Sequence, residues 1–197
     1  MEPSQRIAKI FEDSLDSIRK ASNLIAPQIE EASTLMIQSL LGGGKILVCG
    51  NGGSAADAQH FSAEMLNRFE MERPPLPTIA LTTDASTLTS IANDFAYQEV
   101  FAKQIQALGQ PKDTLLVITT SGNSDNLSLA VDSAHEKDMH CVALNGKSGG
   151  ELSKLLTPGD VNIIVPGAST ARIQEVHSIV IHCFCDLIDR HLLGIHD

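Results

Sequence analysis

Hydrophobic residues in the first forty positions recur at steps of three and four, the spacing that places them on one face of an α-helix. The pattern begins with Ile7 and Phe11, and it resumes after Pro27 with residues such as Leu35. Proline lacks a backbone N–H and its ring clashes with the preceding turn, so the pattern predicts two helices that meet near Pro27. The three glycines at 42–44 predict the end of the second helix.

Short, nearly continuous apolar runs alternate with helical patterns along the rest of the chain. Such runs predict strands buried on both faces, as in a parallel sheet covered by helices on each side. With right-handed crossovers, the predicted fold is a doubly wound, flavodoxin-like α/β sandwich of three layers. We expect five strands, at 45–49, 78–81, 114–119, 141–144 and 161–165. We expect helices at 54–68, 87–92 and 97–108. A further helix should follow the third strand and end at about 137, and the last helix should span about 170–193.

The length of the chain fits one domain over residues 1–197, in which helices at 1–44 precede the sandwich at 45–197. The N-terminus lacks the pattern of a signal peptide, and no run of about 18 apolar residues occurs. We therefore expect a cytoplasmic protein without a membrane partner. The formal net charge of −10 would repel nucleic-acid phosphates, and no cluster of Lys and Arg offsets it, so direct nucleic-acid binding is not expected.

The loop at 119–124, with the sequence TTSGNS, follows a predicted strand and opens a predicted helix. Four of its six residues carry hydroxyl groups, Gly122 lets the backbone approach a ligand, and Ser124 is a suitable N-cap. Free N–H groups at a helix start, together with hydroxyl donors, can hold an anion without Lys or Arg. The loop therefore predicts a phosphate site, with a capped turn that binds no ligand as the alternative.

The loop at 50–55, with the sequence GNGGSA, formally matches the G-x-G-x-x-[GA] fingerprint of dinucleotide-binding proteins. That fingerprint needs an acidic residue about 20 positions later, at the end of the next strand. Here Glu70 and Glu72 end the same helix, and Asp84 is too distant. A loop that presents Asn51 and backbone N–H groups to a sugar is favoured over a nicotinamide site.

Two predicted helices carry side chains suited to chemistry. His60 and Glu64 are four residues apart on one helix face, where they could bind a metal or form an acid/base pair. A solvated salt link is the alternative for this pair. Gln174, Ser178 and His182 form a polar stripe on the last helix. Buried polar groups need partners, so the stripe predicts either a site or hydrogen bonds at a helix or subunit contact.

Five motifs together resemble those of the bacterial phosphoheptose isomerases, a family of the sugar isomerase (SIS) domain class. They are CGNGGSAADAQHF at 49–61, LTTD at 81–84, IANDF at 91–95, TTSGNS at 119–124 and ARIQEVH at 171–177. The resemblance implies an aldose–ketose isomerase that converts sedoheptulose 7-phosphate to D-glycero-D-manno-heptose 7-phosphate through an enediol. This reaction leads towards the heptose of lipopolysaccharide. The resemblance also implies a homotetramer whose active sites are shared between subunits.

Individual residues acquire roles from the same resemblance. Those implied to contact the sugar are Asn51, Gly52, Gly53, Asn93, Asp94 and Gln174. Those implied to bind the phosphate are Thr119, Thr120, Ser121 and Ser124. The implied catalytic acid/base pair is Glu64 and His182. The implied ligands of one zinc ion per subunit are His60, Glu64, Gln174 and His182. Glutamine lies outside the usual zinc ligand set of His, Cys and carboxylates.

A second relative, the DnaA initiator-associating protein, shares the SIS fold and defines the alternative function. It binds the replication initiator DnaA as a tetramer without isomerase activity, and this chain resembles it at 67–77 and 185–189. That relative lacks the carboxylate at position 64 and has Arg at position 121, whereas this chain has Glu64 and Ser121. The intact catalytic set favours the enzyme.

A tetramer requires apolar surface beyond what covers one sheet, and the N-terminal and last helices are rich in apolar residues. The residues expected to pack against other subunits are Leu35, Met36, Leu40, Ile181, Phe184 and Leu187.

Overall fold

Five strands and seven α-helices make up the computed structural model, which describes residues 1–195. The strands are β1 (Ile46–Gly50), β2 (Thr78–Ala80), β3 (Thr114–Ile118), β4 (His140–Gly146) and β5 (Val161–Val165). The helices are α1 (Pro3–Leu41), α2 (Gly53–Leu66), α3 (Ala85–Asp94), α4 (Ala102–Leu108), α5 (Asp125–Glu136), α6 (Leu152–Leu155) and α7 (Thr170–Leu193). A short 3₁₀ helix at Tyr97–Glu99 precedes α4. Residues 196 and 197 of the predicted domain lie outside the described residues.

All five strands run parallel, in the order β2-β1-β3-β4-β5. This is the flavodoxin-like order, so the predicted doubly wound sandwich is confirmed. Alternate strand residues enter two separate cores. Ile46 and Val48 face α1, α2 and α7, whereas Leu47 and Cys49 face α4, α5 and α6. Burial on both faces explains the continuous apolar sequence of the strands. Within residues 1–195, no helix is both long and apolar enough to cross a membrane.

The N-terminal segment forms one helix of 39 residues, so the prediction of two helices that meet near Pro27 is wrong. Pro27 lies inside α1, which packs along α7 and β5. Buried residues continue on both sides of it, with Ile25 before and Met36 and Ile37 after. A proline inside a helix costs about 3 kcal/mol. Burial of a side chain of this size contributes about 1.5–3 kcal/mol, so packing along the whole helix offsets the local cost.

Three residues expected at subunit contacts lie instead inside the chain's own core. Met36, Ile181 and Phe184 are fully buried, because α1 and α7 pack on each other over one face of the sheet. Leu35, Leu40 and Leu187 are partly buried. The large apolar side chains that remain exposed on α1 are Ile7, Phe11, Leu15, Leu24 and Leu41. The homotetramer itself stays a prediction.

A buried ion pair joins the end of α2 to α7. Nε of Arg73 lies 2.5 Å from Oδ1 of Asp189, and both side chains are almost inaccessible to solvent. The guanidinium also donates to two carbonyl oxygens in the last turns of α2, that of Met65 at 2.9 Å and that of Glu64 at 3.0 Å. A cation at a helix C-terminus satisfies carbonyl groups that lack helical partners. Arg73 therefore fixes the end of α2 against α7.

Removal of one member of this pair should strongly destabilise the fold. Arg73→Met or Asp189→Asn leaves an uncompensated buried charge, so we expect the free energy of unfolding in urea to fall by about 3–5 kcal/mol. The double variant Arg73→Met/Asp189→Leu should lose less than either single variant, because no charge then stays buried. Lys9→Met removes an exposed ion pair with Asp13 and serves as the control. Single variants as stable as this control would contradict the role of the pair.

Candidate active site

A cavity of about 210 Å³ lies at the carboxyl ends of β1 and β3, the neighbouring strands at which the strand order reverses. Open α/β sheets bind ligands at such positions. The cavity is lined by both predicted ligand loops and α7, through Asn51, Ser54, Ile118, Thr119, Thr120, Ser121, Ser124, Leu127, Thr170 and Gln174. Six of the predicted substrate contacts are therefore brought together here.

The loop at 119–124 presents hydroxyl groups and a helix N-terminus to this cavity. Ser124 is the N-cap of α5, but its side chain makes no capping hydrogen bond, which leaves the hydroxyl for a ligand. Oγ1 of Thr119 accepts hydrogen bonds from the backbone N–H groups of Ser121 and Gly122, with N–O distances of 3.4 and 3.2 Å. Gly122 has a φ of +67°, and a Cβ there would collide with the loop after β4. No Lys or Arg is among the described residues that line the cavity, so an anion would be held by hydroxyl groups and the α5 dipole.

Helices α2 and α7 lie side by side and form a seam, the α2–α7 seam, from residues 53–64 of α2 and 174–182 of α7. At its cavity end, Gly53 faces Gln174 so closely that any Cβ would collide with the carboxamide. A side chain at position 53 would displace this flexible carboxamide, so the glycine keeps the start of α2 beside a residue that lines the cavity.

Asp57 is a residue of the α2–α7 seam that the sequence analysis did not single out. It is half-buried, and its Oδ1 accepts a hydrogen bond from the Ser178 hydroxyl at 3.4 Å. Burial raises the pKa of the Asp57 carboxyl, while the Ser178 hydroxyl and the nearby His60 oppose the rise. Its spacing was the available signal, since Asp57 precedes His60 by three positions and Glu64 by seven and so shares their helix face.

His60, Glu64 and His182 form a group at the far end of the α2–α7 seam. Nε2 of His60 lies 3.2 Å from Oε1 of Glu64. The rings of His60 and His182 have centroids 5.1 Å apart at an interplanar angle of 87°. Phe69 lies beside His182, with centroids 5.4 Å apart. His182 is exposed, and His60 and Glu64 are only partly buried, so this group is open to a ligand from solvent.

The predicted zinc ligands divide between the two ends of the seam. His60, Glu64 and His182 lie together, whereas Gln174 lines the cavity. The eight residues from Gln174 to His182 correspond to about 12 Å along α7. Gln174 in this conformation therefore belongs to the cavity.

Asn93 and Asp94, predicted to contact the sugar, end α3 on the exposed surface. Nδ2 of Asn93 donates to Oδ1 of Asp94 at 2.8 Å, so the two side chains are paired with each other. Neither belongs to the lining of the cavity. Their contact with a sugar stays a prediction.

A separate group at the opposite end of the sheet has the spacing of metal ligands. Among the described residues, His135, Cys141 and Asp160 each place one ligand atom within 4.8 Å of the others. Both oxygens of Asp160 already accept hydrogen bonds, Oδ1 from the Cys141 N–H at 2.7 Å and Oδ2 from the Thr157 N–H at 2.7 Å. Although burial raises the pKa of Asp160, its hydrogen bonds from Thr157, Cys141 and His135 hold the pKa below its ordinary value. A metal ion here would have to compete with these bonds.

Sequence comparison places the chain among known proteins. Residues 8–146 match the SIS domain family. The phosphoheptose isomerase of Alkalilimnicola ehrlichii is 60% identical over 194 residues, which are 98% of this chain and 99% of the relative. That of Chromohalobacter salexigens is 59% identical over 98% of each chain. The chain belongs to the phosphoheptose isomerase family.

Solved structures of this family share the fold described above. The phosphoheptose isomerase from Francisella tularensis has a TM-score of 0.94 at 46% identity and covers 96% of this chain and 100% of its own. That from Neisseria gonorrhoeae has a TM-score of 0.91 at 48% identity and covers 95% and 99%. The long N-terminal helix and the five-stranded parallel sheet are thus features of the family fold.

His177 is a buried residue of α7 that lies on the sheet side, away from the α2–α7 seam. Its Nε2 donates to the carbonyl oxygen of Asn145 in β4 at 3.0 Å, which fixes the neutral tautomer because a carbonyl can only accept. Burial lowers the pKa of His177 to about 4. The ring is therefore uncharged in this phosphoheptose isomerase family member at neutral pH.

His177 should make the stability fall as the pH decreases. Between pH 6.5 and about 4, the unfolded ring binds a proton that the folded ring does not, so each step down in pH favours unfolding. This group alone should reduce the free energy of unfolding by about 2 kcal/mol between pH 7 and pH 5. Urea denaturation of His177→Gln at both pH values should show that much less pH dependence than the wild type. The exposed His140→Gln is the control, and a His177→Gln protein with the wild-type pH dependence would contradict the assignment.

Proposed function

We propose that this member of the phosphoheptose isomerase family converts sedoheptulose 7-phosphate to D-glycero-D-manno-heptose 7-phosphate. The main support is the α2–α7 seam, which has a phosphate-type cavity at one end and the His60, Glu64 and His182 group at the other. The ends are about 12 Å apart along α7, which suits a sugar whose carbonyl is far from its phosphate. The near-full-length relatives named phosphoheptose isomerase support the same reaction.

The phosphate binds at the 119–124 loop, through Thr119, Thr120, Ser121 and Ser124. A chain of net charge −10 does not attract an anion by its overall field, so these local donors and the start of α5 supply the attraction. The sugar chain lies along the seam against Asn51, Gly52 and Gly53, with Asn93 and Asp94 as further contacts. Binding energy from the remote phosphate holds the reacting carbons in register with the acid/base group.

Glu64 and His182 act as the acid/base pair. One removes a proton from carbon 1 of the ketose, while the other donates a proton to the carbonyl oxygen on carbon 2, which gives a cis-enediol. Loss of the proton from the carbon 1 hydroxyl and delivery of a proton to carbon 2 then give the aldose, so no atom is gained or lost. A carboxylate and an imidazole are the usual side chains for such transfers.

The same group has the ligand chemistry of a zinc site. His60, Glu64 and His182 would supply two imidazoles and a carboxylate, a set typical of catalytic zinc with three protein ligands. Their ligand atoms do not all lie within 4.8 Å of one another, so the side chains would have to turn towards the ion as it binds. Gln174, the remaining ligand that the resemblance implies, lines the cavity about 12 Å along α7 from His182, so its side chain would have to change conformation to act as the proposed fourth ligand. When bound, zinc would polarise the sugar carbonyl as a Lewis acid.

The proposed assembly is a cytoplasmic homotetramer that acts on the route to the heptose of lipopolysaccharide. Exposed apolar side chains on α1, including Ile7, Phe11 and Leu15, support contacts with other copies. The alternative is a DnaA-binding protein without isomerase activity. It is less well supported, because Glu64 and Ser121 both lie at the candidate site and the relatives carry the isomerase name.

Glu64→Gln should abolish isomerisation and keep the fold. The amide has nearly the same shape but neither releases nor accepts a proton at this position, so turnover of sedoheptulose 7-phosphate should fall by about 10²-fold or more. Its affinity for the sugar phosphate, measured by calorimetry, should change little. Glu70→Gln alters an exposed carboxylate and is the matched control. Near wild-type turnover by Glu64→Gln would remove Glu64 from the mechanism.

Zinc should bind at the seam and not at the His135 group. After zinc loading and removal of free metal, elemental analysis should find the ion on the wild type and on His135→Gln. His182→Ala should lose most of it, because a ligand that catalytic zinc requires is gone. Zinc that persists in His182→Ala but is lost from His135→Gln would instead place the ion at His135, Cys141 and Asp160.

A further inference from the structure

We propose that Asn126, assisted by Tyr97, is a positioning residue that holds the Asn51 carboxamide in the orientation that meets the sugar phosphate. This role rests on the proposed function, because it requires that Asn51 contacts the sugar phosphate. Asn126 is the second residue of α5 and is 3% exposed. Asn51 follows β1, so the contact joins the two loops that flank the switch point of the sheet.

The two carboxamides form a reciprocal pair. Nδ2 of Asn51 donates to Oδ1 of Asn126 at 2.9 Å, and Nδ2 of Asn126 donates to Oδ1 of Asn51 at 2.9 Å. The Tyr97 hydroxyl donates to the same oxygen of Asn51 at 3.1 Å. Both lone pairs of Oδ1 and one of the two N–H bonds of Asn51 are thereby used.

One N–H of the Asn51 carboxamide then remains for a ligand in the cavity that Asn51 lines. Held in this way, Asn51 offers a donor and no acceptor, so it selects an oxygen lone pair of a phosphate, carbonyl or hydroxyl group. An unsupported asparagine side chain would rotate about two bonds and would lose that freedom on binding. The pair with Asn126 orders the side chain before the substrate arrives.

Tyr97 lies on the short 3₁₀ helix, and a neighbouring contact provides a control. Nε2 of Gln98 donates to Oδ2 of Asp125 at 3.0 Å, which also ties the 3₁₀ helix to the start of α5. This contact joins the same two segments without touching Asn51. Loss of the Gln98 contact therefore reports what the junction alone contributes.

The test is a double-mutant cycle between positions 51 and 126, with sedoheptulose 7-phosphate as the probe. Asn126→Ala should lower kcat/KM by about tenfold, the effect of one mispositioned hydrogen bond, mainly through a higher KM. In an Asn51→Ala background the same substitution should change kcat/KM by less than about twofold, because the residue acts through Asn51. Gln98→Ala should resemble the wild type. If Asn126→Ala has the same effect in both backgrounds, or none in either, the positioning role is wrong.

A second cycle uses Tyr97→Phe, which removes only an exposed hydroxyl and covers the case in which Asn126→Ala does not fold. The expected loss is smaller, and it should also vanish in the Asn51→Ala background. Calorimetric Kd values for sedoheptulose 7-phosphate separate this role from the proposed function. If the Kd values of the cycle show the coupling but the wild type makes no aldose, the isomerase activity is overturned and the positioning role is supported. If the wild type makes aldose but the effects of the two substitutions are additive, the positioning role alone is overturned.

Discussion

The buried Arg73–Asp189 pair is the interaction on which the arrangement of the site depends. It joins the end of α2 to α7 although the partners are 116 positions apart in the sequence. At the other end of the α2–α7 seam, the Gln174 carboxamide lies against Gly53. The buried pair limits how far the two helices can move apart at the end that carries Glu64 and His182. That rigidity holds His60 and Glu64 on one helix against His182 on the other.

In the proposed mechanism, binding and chemistry occupy opposite ends of this seam. The cavity end is built from hydroxyl groups, amides and the start of α5, all of them neutral, which suits an anion in a chain whose overall charge is negative. The far end carries the titratable groups and is open to solvent. A seven-carbon sugar phosphate that lies along the seam can have its phosphate at one end and its carbonyl at the other. The geometry therefore suits the proposed substrate, whose carbonyl lies far from its phosphate.

Much of the fold could be predicted because the signals are local. Continuous apolar runs identified all five strands, and glycine- and hydroxyl-rich loops after two of them marked the cavity lining. The two-helix prediction failed at Pro27, where a local rule was outweighed by tertiary packing. Met36 was assigned to a subunit contact for a related reason, since sequence does not show which apolar face meets the chain's own sheet.

Contacts between distant segments could not be predicted from the sequence. The motifs included Asn51 but gave no sign that Asn126 would pair with it, because that contact depends on two loops meeting at the switch point. The same holds for Arg73 and Asp189, because nothing in the sequence around either residue indicates that the two form a buried ion pair. The position of Asp57 beside His60 and Glu64 could have been predicted, because the spacing that places the three on one helix face is visible in the sequence.

Isomerisation in D₂O tests the central claim most directly, namely that the seam carries out proton transfer on a sugar phosphate. Wild-type protein and sedoheptulose 7-phosphate would be incubated in D₂O, and the products followed by NMR. We predict D-glycero-D-manno-heptose 7-phosphate with deuterium at carbon 2, because the proton passes through a side chain that exchanges with solvent. No aldose, or an aldose whose carbon 2 carries only hydrogen transferred directly from carbon 1, would contradict the account.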